Sequence, residues 1–228
     1  FVGTPIPFVF SGVNASPDQY GFSGSPNVTG VLEQEHFVET LMLLREIAPR
    51  VRRLGIIVDS SPMWAPIIAR MRARLQEMPA VTVVSWETIQ SFEDYQTRIN
   101  AYQNQVDAIG LLGIFHFENR NGENVPYQSV LRWTAENSRL PDFSFWQDRV
   151  KFGTLCAVAV SGYQQGREAG KIARQILVEG RQPSDIRMQP STKGLPAVSL
   201  ARARKLGLQI KSRVLLSAKV YPRFAWEE

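Results

Sequence analysis

RLGIIVDSSP, residues 53–62, is the stretch from which the rest of the chain can be read. Leu54 to Val58 is an apolar run of strand length, as expected of a parallel strand covered on both faces. Asp59 closes it. Ser60-Ser61-Pro62 then offers an N-cap with proline in the first turn, which predicts a helix continuing to about Met78. A strand passing at once into a helix is half of a βαβ unit, and a parallel neighbour must complete it.

Working outward, the same alternation appears on both sides. Glu35 to Ala48 places Phe37, Leu41, Leu44 and Ile47 at helical spacing, and Pro49 stops the helix. Val81 to Trp86 reads as the next strand, Phe92 to Gln103 as a helix, and Val106 to Leu112 as a strand again. After the polar loop Glu118 to Asn124, Pro126 to Ser138 is helical and Phe143 to Trp146 is a short strand. Such alternation predicts an α/β fold with doubly wound parallel sheets. At the front, Ile6 to Phe10 reads as a further buried strand between Pro5 and a Ser/Gly/Asn/Pro turn cluster, so it needs neighbours of its own. Towards the end, Phe152 to Val160 is strand-like and Gln164 to Glu179 is a helix ended by Gly180. A proline-bearing link then leads to Ala197-Val198-Ser199-Leu200 and a short helix before Gly207. The aromatic tail, Val214 to Trp226, is expected to pack on the body.

Composition narrows the class. The chain has 228 residues, of which 44% are hydrophobic, enough for substantial cores. No apolar stretch approaches the roughly 20 residues of a membrane span, and the start lacks the order of a signal peptide. The net charge of +5 and pI near 9.6 do not point to nucleic acid, because Arg50, Arg52, Arg53, Arg70, Arg72, Arg74, Arg202, Arg204 and Lys205 punctuate strand and helix borders without aromatic interleaving. The lone Cys156 lies in an apolar run and reads as a buried structural thiol.

The residues also carry a family resemblance. Pro5-Ile6-Pro7-Phe8-Val9-Phe10 with Pro26-Asn27-Val28-Thr29-Gly30-Val31 resembles the "IPVVF … GGNVTGV" segment of ABC-transporter substrate-binding proteins related to the aromatic-amino-acid binding proteins. Leu41 to Pro49 followed by Val51 to Ile57 is similar to their "LELLKELLP…KRVGVLYNP". Gly153 with Gly166-Arg167-Glu168-Ala169-Gly170-Lys171 resembles "GALAALG…YYDLGRQAGK", and Ala203-Arg204-Lys205-Leu206-Gly207 resembles the end of "NLKTAKKLG". The resemblance implies a type I periplasmic-binding-protein fold, two Rossmann-like lobes closing on a small ligand. It places residues 1–32 and 152–182 in the first lobe, and residues 33–151 and 183–228 in the second. It further implies that about a hundred residues carrying earlier strands of the first lobe, and a signal peptide, precede this sequence, leaving the first lobe incomplete.

The function so implied is that of a periplasmic or extracellular membrane-associated solute-binding protein that captures an amino acid or similar molecule for ABC import. The alternative on the same fold is a sensor feeding a membrane signalling partner such as a histidine kinase. The partners are thus a small-molecule ligand and an ABC permease or membrane sensor protein, with no nucleic acid and no span of the chain's own. No enzyme motif is present: Gly21-Phe22-Ser23-Gly24-Ser25 lacks the final glycine of a nucleophile elbow, and Gly162, Gly166 and Gly170 suit close helix packing. His36 and His116 have no ligand partners at metal spacing, so neither metal nor other cofactor is expected.

Ligands of open α/β sheets sit beyond the carboxyl ends of the strands. The residues there are Ser11; Asp59, Ser60, Ser61 and Trp64; Phe115 and His116; Trp146 and Asp148; Ser161 and Tyr163. Asp148 matches the acidic residue of the family's "FASD" segment, where it would pair with a ligand ammonium beside the Trp146 indole, although Arg149 and Lys151 also make it a candidate surface ion-pair member. Trp64 and Trp146 are expected to face the cleft. Gly113 to Phe117 replaces the family's polar "PTDN" loop and Val158 to Tyr163 replaces "LGVDYYD", which predicts a more apolar pocket.

Overall fold

The computed structural model describes residues 1–190 and 194–227. In chain order its elements are β1 (Phe8–Val13), β2 (Val28–Leu32), α1 (Phe37–Ile47), β3 (Arg53–Val58), α2 (Trp64–Arg74), β4 (Thr82–Thr88), α3 (Phe92–Tyr102) and β5 (Ala108–Leu111). They continue with α4 (Tyr127–Asn137), β6 (Asp142–Ser144), α5 (Gln147–Lys151), β7 (Cys156–Ala159), α6 (Gly162–Leu177), β8 (Gln189–Pro190), β9 (Leu195–Ser199), α7 (Leu200–Lys205), α8 (Ser212–Ser217) and β10 (Lys219–Tyr221). Two compact units result, Phe1–Glu35 with Val160–Gly194, and His36–Ala159 with Leu195–Glu228.

The larger unit is built on a seven-stranded sheet of order β10-β9-β7-β6-β5-β3-β4. Every neighbouring pair is parallel except β7 and β9, which run antiparallel with Cys156 opposite Val198 and Ala159 opposite Leu195. The apolar runs read as doubly covered strands are so: Leu54 to Val58 and Ala108 to Leu111 are buried throughout. Asp107 sets the start of β3. Its carboxylate accepts the main-chain N–H groups of Arg52 and Arg53 at 3.1 and 2.8 Å and pairs with the Arg53 guanidinium at 2.9 Å. Helix α1 turns Phe37, Leu41, Leu44 and Ile47 inward as its spacing predicts. The tail packs on the body through Val214 and Phe224, both buried.

Two buried arginines shape this unit. Arg202, at the start of α7, binds Asp142 of β6 through Nε at 3.0 Å and Nη2 at 2.7 Å. Its remaining donors reach the carbonyls of Ala135, Ser138 and Leu140 at 3.0 to 3.1 Å. Asp142 also accepts the Leu155 N–H at 2.6 Å, so this one ion pair ties α4, β6, α7 and the entry to β7. The second, Arg149, belongs to the candidate site.

The smaller unit is a three-stranded parallel sheet of order β1-β2-β8. Val31, Ile172 and Ile176 form its core, with Val9, Ala169 and Ile186 packed against them. Asn27 holds the chain before β1: its amide donates to the carbonyls of Phe1 and Ile6, both at 2.8 Å, and its oxygen accepts from Gly3 N at 2.8 Å.

Three segments lie elsewhere than expected. Residues 33–35 belong with the smaller unit, where the Glu33 N–H donates to the Val13 carbonyl at 2.8 Å. Residues 152–159 belong with the larger unit, because β7 is hydrogen-bonded between β6 and β9 and its Val158 N–H donates to Thr40 Oγ1 of α1 at 3.1 Å. Residues 183–190 belong with the smaller one, where β8 pairs with β2 and Thr29 Oγ1 donates to the Ile186 carbonyl at 2.7 Å. An apolar run names a strand but not the sheet that receives it.

Candidate functional site

In the larger unit β3, β5 and β6 are adjacent and parallel, so their carboxyl ends deliver three loops to one place. Asp59, immediately after β3 and only 1% exposed, is the point on which two of them converge. Its Oδ1 accepts from Ser61 N at 3.1 Å and from Trp64 Nε1 at 2.7 Å. Its Oδ2 accepts from Phe115 N at 3.0 Å and faces His116 Nδ1 at 3.1 Å. Burial works against the charge, but hydrogen bonds from Ser61, Phe115, Trp64 and His116 outweigh it and hold the carboxyl below its ordinary range. With about two acceptor positions per oxygen, the carboxylate is saturated by the protein. Asp59 therefore organises the loops and has no capacity left for a solute.

The order of the chain around Asp59 follows from those bonds. Because the carboxylate holds Ser61 N, residues 60–63 form a turn, and α2 starts at Trp64 with Met63 as its N-cap and no side-chain cap. The expected Ser60-Ser61 cap is not formed. Gly113 is required where the β5 loop crosses this turn. A Cβ there would lie 2.5 Å from Trp64 Nε1 and 2.6 Å from Asp59 N, inside any real contact distance.

Around Asp59 the aromatic residues form a connected set. The rings of Trp64 and Trp146 meet edge to face at 6.2 Å, Trp146 and Phe115 at 6.0 Å, and Phe115 and Tyr127 at 5.8 Å. Such edge-to-face pairs each contribute about 0.5–1.5 kcal/mol beyond burial. Trp64 is only 2% exposed and belongs to the main core, so it supports the set from below and is not the open stacking surface expected of it. Trp146 and Phe115 are half-buried, and His116 is exposed at the rim.

Behind these rings lies Arg149, contributed by the short helix α5 and 1% exposed. Its guanidinium carbon stands 4.2 Å from the centre of Phe115, 4.7 Å from Trp146 and 5.4 Å from Tyr127. Nη1 donates to the carbonyls of Leu111 and Leu112, at 3.1 and 3.0 Å, fixing the end of β5. Nη2 has no hydrogen-bond partner among the described residues. Burial pulls the pKa of this guanidinium down to about 9, against the pull of Tyr127, Asp59 and Tyr95 in the other direction.

The residues expected from sequence are thus dispersed. Ser60, Ser61, Trp64, Phe115, His116 and Trp146 gather around Asp59. Asp148 lies exposed in the first turn of α5, beside Arg149 in sequence but on the solvent side. Ser11, Ser161 and Tyr163 belong to the smaller unit. There Ser11 is exposed on β1, Ser161 caps α6 by accepting from Gln164 N at 3.2 Å, and Tyr163 is 77% exposed. Ser161 thus serves the cap that its position before a helix allows. A separate polar groove of about 520 Å³, at the end of the edge strand β4, is lined by residues that include Glu87, Asp94 and Arg98. Glu87 there is engaged by Ser85 at 2.5 Å and Arg98 at 3.4 Å. Among the described residues no group of three or more histidine, cysteine or acidic side chains is arranged to hold a metal, and no helix is long and apolar enough to cross a membrane.

Solved structures share this fold. An ABC domain from Streptococcus pneumoniae, in complex with L-Trp, is 19% identical and superposes with a TM-score of 0.65 over 95% of this chain and 73% of its own. A substrate-binding protein with adhesive properties from Clostridium difficile, in its ligand-free, open structure, is 18% identical with a TM-score of 0.74 over 95% and 71%. A conserved domain protein from Vibrio cholerae is 20% identical, with a TM-score of 0.65 over 95% and 71%. No curated protein matches the chain. The sequence pattern described as ABC transporter substrate binding protein matches residues 4–221, nearly the whole length, and the chain belongs to that family.

Proposed function

We propose that the protein captures a small solute, an amino acid or a similar molecule, outside the cytoplasm and hands it to an ABC permease, without chemistry of its own. The observation that supports this reading is the Asp59 centre. A carboxylate with every acceptor position filled by the protein fixes Phe115, His116 and Trp64 at the carboxyl ends of parallel strands. Half-buried rings beside an ordered turn suit a solute with a flat or apolar part. The membership of the chain in a substrate-binding family, and the L-Trp held by the Streptococcus pneumoniae relative, agree with it. Binding is expected to raise thermal stability, by about 2.7 kcal/mol at a hundredfold excess over the dissociation constant. Melting the protein against amino acids, purines and short peptides tests this. A saturable rise with one solute class, matched by calorimetric binding, is the expected outcome, and turnover of that solute would refute the reading.

A further inference from the structure

The larger unit offers its own control for what a buried arginine requires. Arg149 and Arg202 are its two fully buried guanidinium groups. Arg202 has a carboxylate at 2.7 Å and all its nitrogens bonded. Arg149 has two carbonyls on Nη1, three aromatic rings against its faces, nothing on Nη2, and no carboxylate within ion-pairing distance among the described residues. Asp59, whose field reaches it, spends its acceptors on Ser61, Trp64, Phe115 and His116. Rings and carbonyls offset part of the cost of burying a cation, but a full charge in the interior ordinarily has a counter-ion. Among the described residues a counter-ion stands against Arg202 and none against Arg149.

The place of the unpaired charge gives it a use. Arg149 sits at the carboxyl ends of β5 and β6, one ring thickness behind Phe115 and Trp146, which are themselves partly open to solvent. We propose that Arg149 is the anion-recognition residue of this site: a solute carboxylate, admitted when Phe115 or Trp146 turns to another rotamer, pairs with the free Nη2 and becomes the missing counter-ion. The displaced ring then lies against the flat part of the same solute. The inference deepens the receptor reading above and rests on it. It assigns the ligand's acidic end to Arg149, whereas sequence reasoning assigned its basic end to Asp148, which the fold turns to solvent.

The test uses three matched pairs of probes, each a carboxylate and its primary amide: L-tryptophan and L-tryptophanamide, indole-3-acetate and indole-3-acetamide, phenylacetate and phenylacetamide. Each is titrated calorimetrically and by thermal melting into the wild-type protein, which needs no variant to fold. The carboxylates are expected to bind at least about 10-fold more tightly than their amides, and up to about 150-fold, the range for losing one hydrogen bond to a charged group. Arg149→Met is expected to erase that preference, and Arg149→Lys, which keeps the charge but not the fork, to retain part of it. Amides binding as tightly as carboxylates would overturn the anion assignment while leaving the receptor reading in place. Silence from all six overturns the assignment of a flat carboxylate solute to Arg149, and the receptor reading then stands or falls on the wider panel of amino acids, purines and short peptides.

Discussion

Replacing Asp59 by asparagine removes one oxygen from a group whose every acceptor position is used, and the cost can be followed bond by bond. If the amide nitrogen occupies the Oδ1 position it faces Ser61 N–H and Trp64 Nε1–H, two donors with no capacity to accept. If it occupies the Oδ2 position it faces Phe115 N–H, while His116 can present an unprotonated Nδ1. The second arrangement is the cheaper. It loses one hydrogen bond to a charged group and weakens the two that remain on the oxygen, about 2–4 kcal/mol in all. For a chain of this size that corresponds to a melting temperature lower by about 4–16 °C. Scanning calorimetry with tryptophan fluorescence reads it, since the Trp64 indole bond is one of the two that weaken. The pH dependence gives an independent check. The folded Asp59 carboxyl lies below its unfolded value of 3.8, so its contribution is complete above that pH and is lost as pH falls through the folded value. The gap between wild type and Asp59→Asn is therefore expected to be constant near neutrality and to close below about pH 4. A melting temperature within about 1 °C of wild type, or a gap that does not change in acid, would refute the account of Asp59 as the organiser of these loops.

Asp142→Asn leaves the Arg202 charge buried without its counter-ion and is expected to cost about 3–5 kcal/mol, read as a lower urea midpoint at unchanged slope. Gly113→Ala places a methyl group against Trp64 and the Asp59 main chain, and about 1–3 kcal/mol of destabilisation with altered indole emission is expected. Cys156 is fully buried, and burial pushes its thiol up and out of the reactive range. Labelling by a thiol reagent is therefore expected to proceed at the rate of unfolding and to be absent from the native protein.

What could be read from the sequence, and what could not, divides along physical lines. Leu54 to Val58, Phe92 to Tyr102 and Tyr127 to Asn137 announce themselves because spacing of apolar residues reports which face is covered, and it does so locally. The antiparallel seating of β7 against β9 depends on partners 36 to 42 residues away and leaves no local mark. Arg149 was hidden for a related reason. In Asp148-Arg149-Val150-Lys151 it reads as a solvated neighbour of an acid, but a single turn of helix sends Arg149 and Val150 inward and leaves Asp148 outside. Strand-end counting named Asp59 but not its role, because the donors that saturate it come from a turn and from a loop more than fifty residues on.

The antiparallel pair of β7 and β9 has a consequence for how the chain can be cut and rejoined. Ala159 and Leu195 are direct cross-strand partners, so everything between them leaves and re-enters the seven-stranded sheet at a single rung of its ladder. In topological terms residues 160–194 are the loop of a hairpin whose stem is already complete. Closing a loop of that size costs only slowly growing entropy, and exchanging it for a tight turn would shorten the closure and leave the stem's four residue pairs intact. A minimal version of the larger unit carrying Asp59, Arg149 and their aromatic neighbours would therefore combine a splice at that rung with removal of residues 1–35, whose Val31 packs on Ile172 and Ile176.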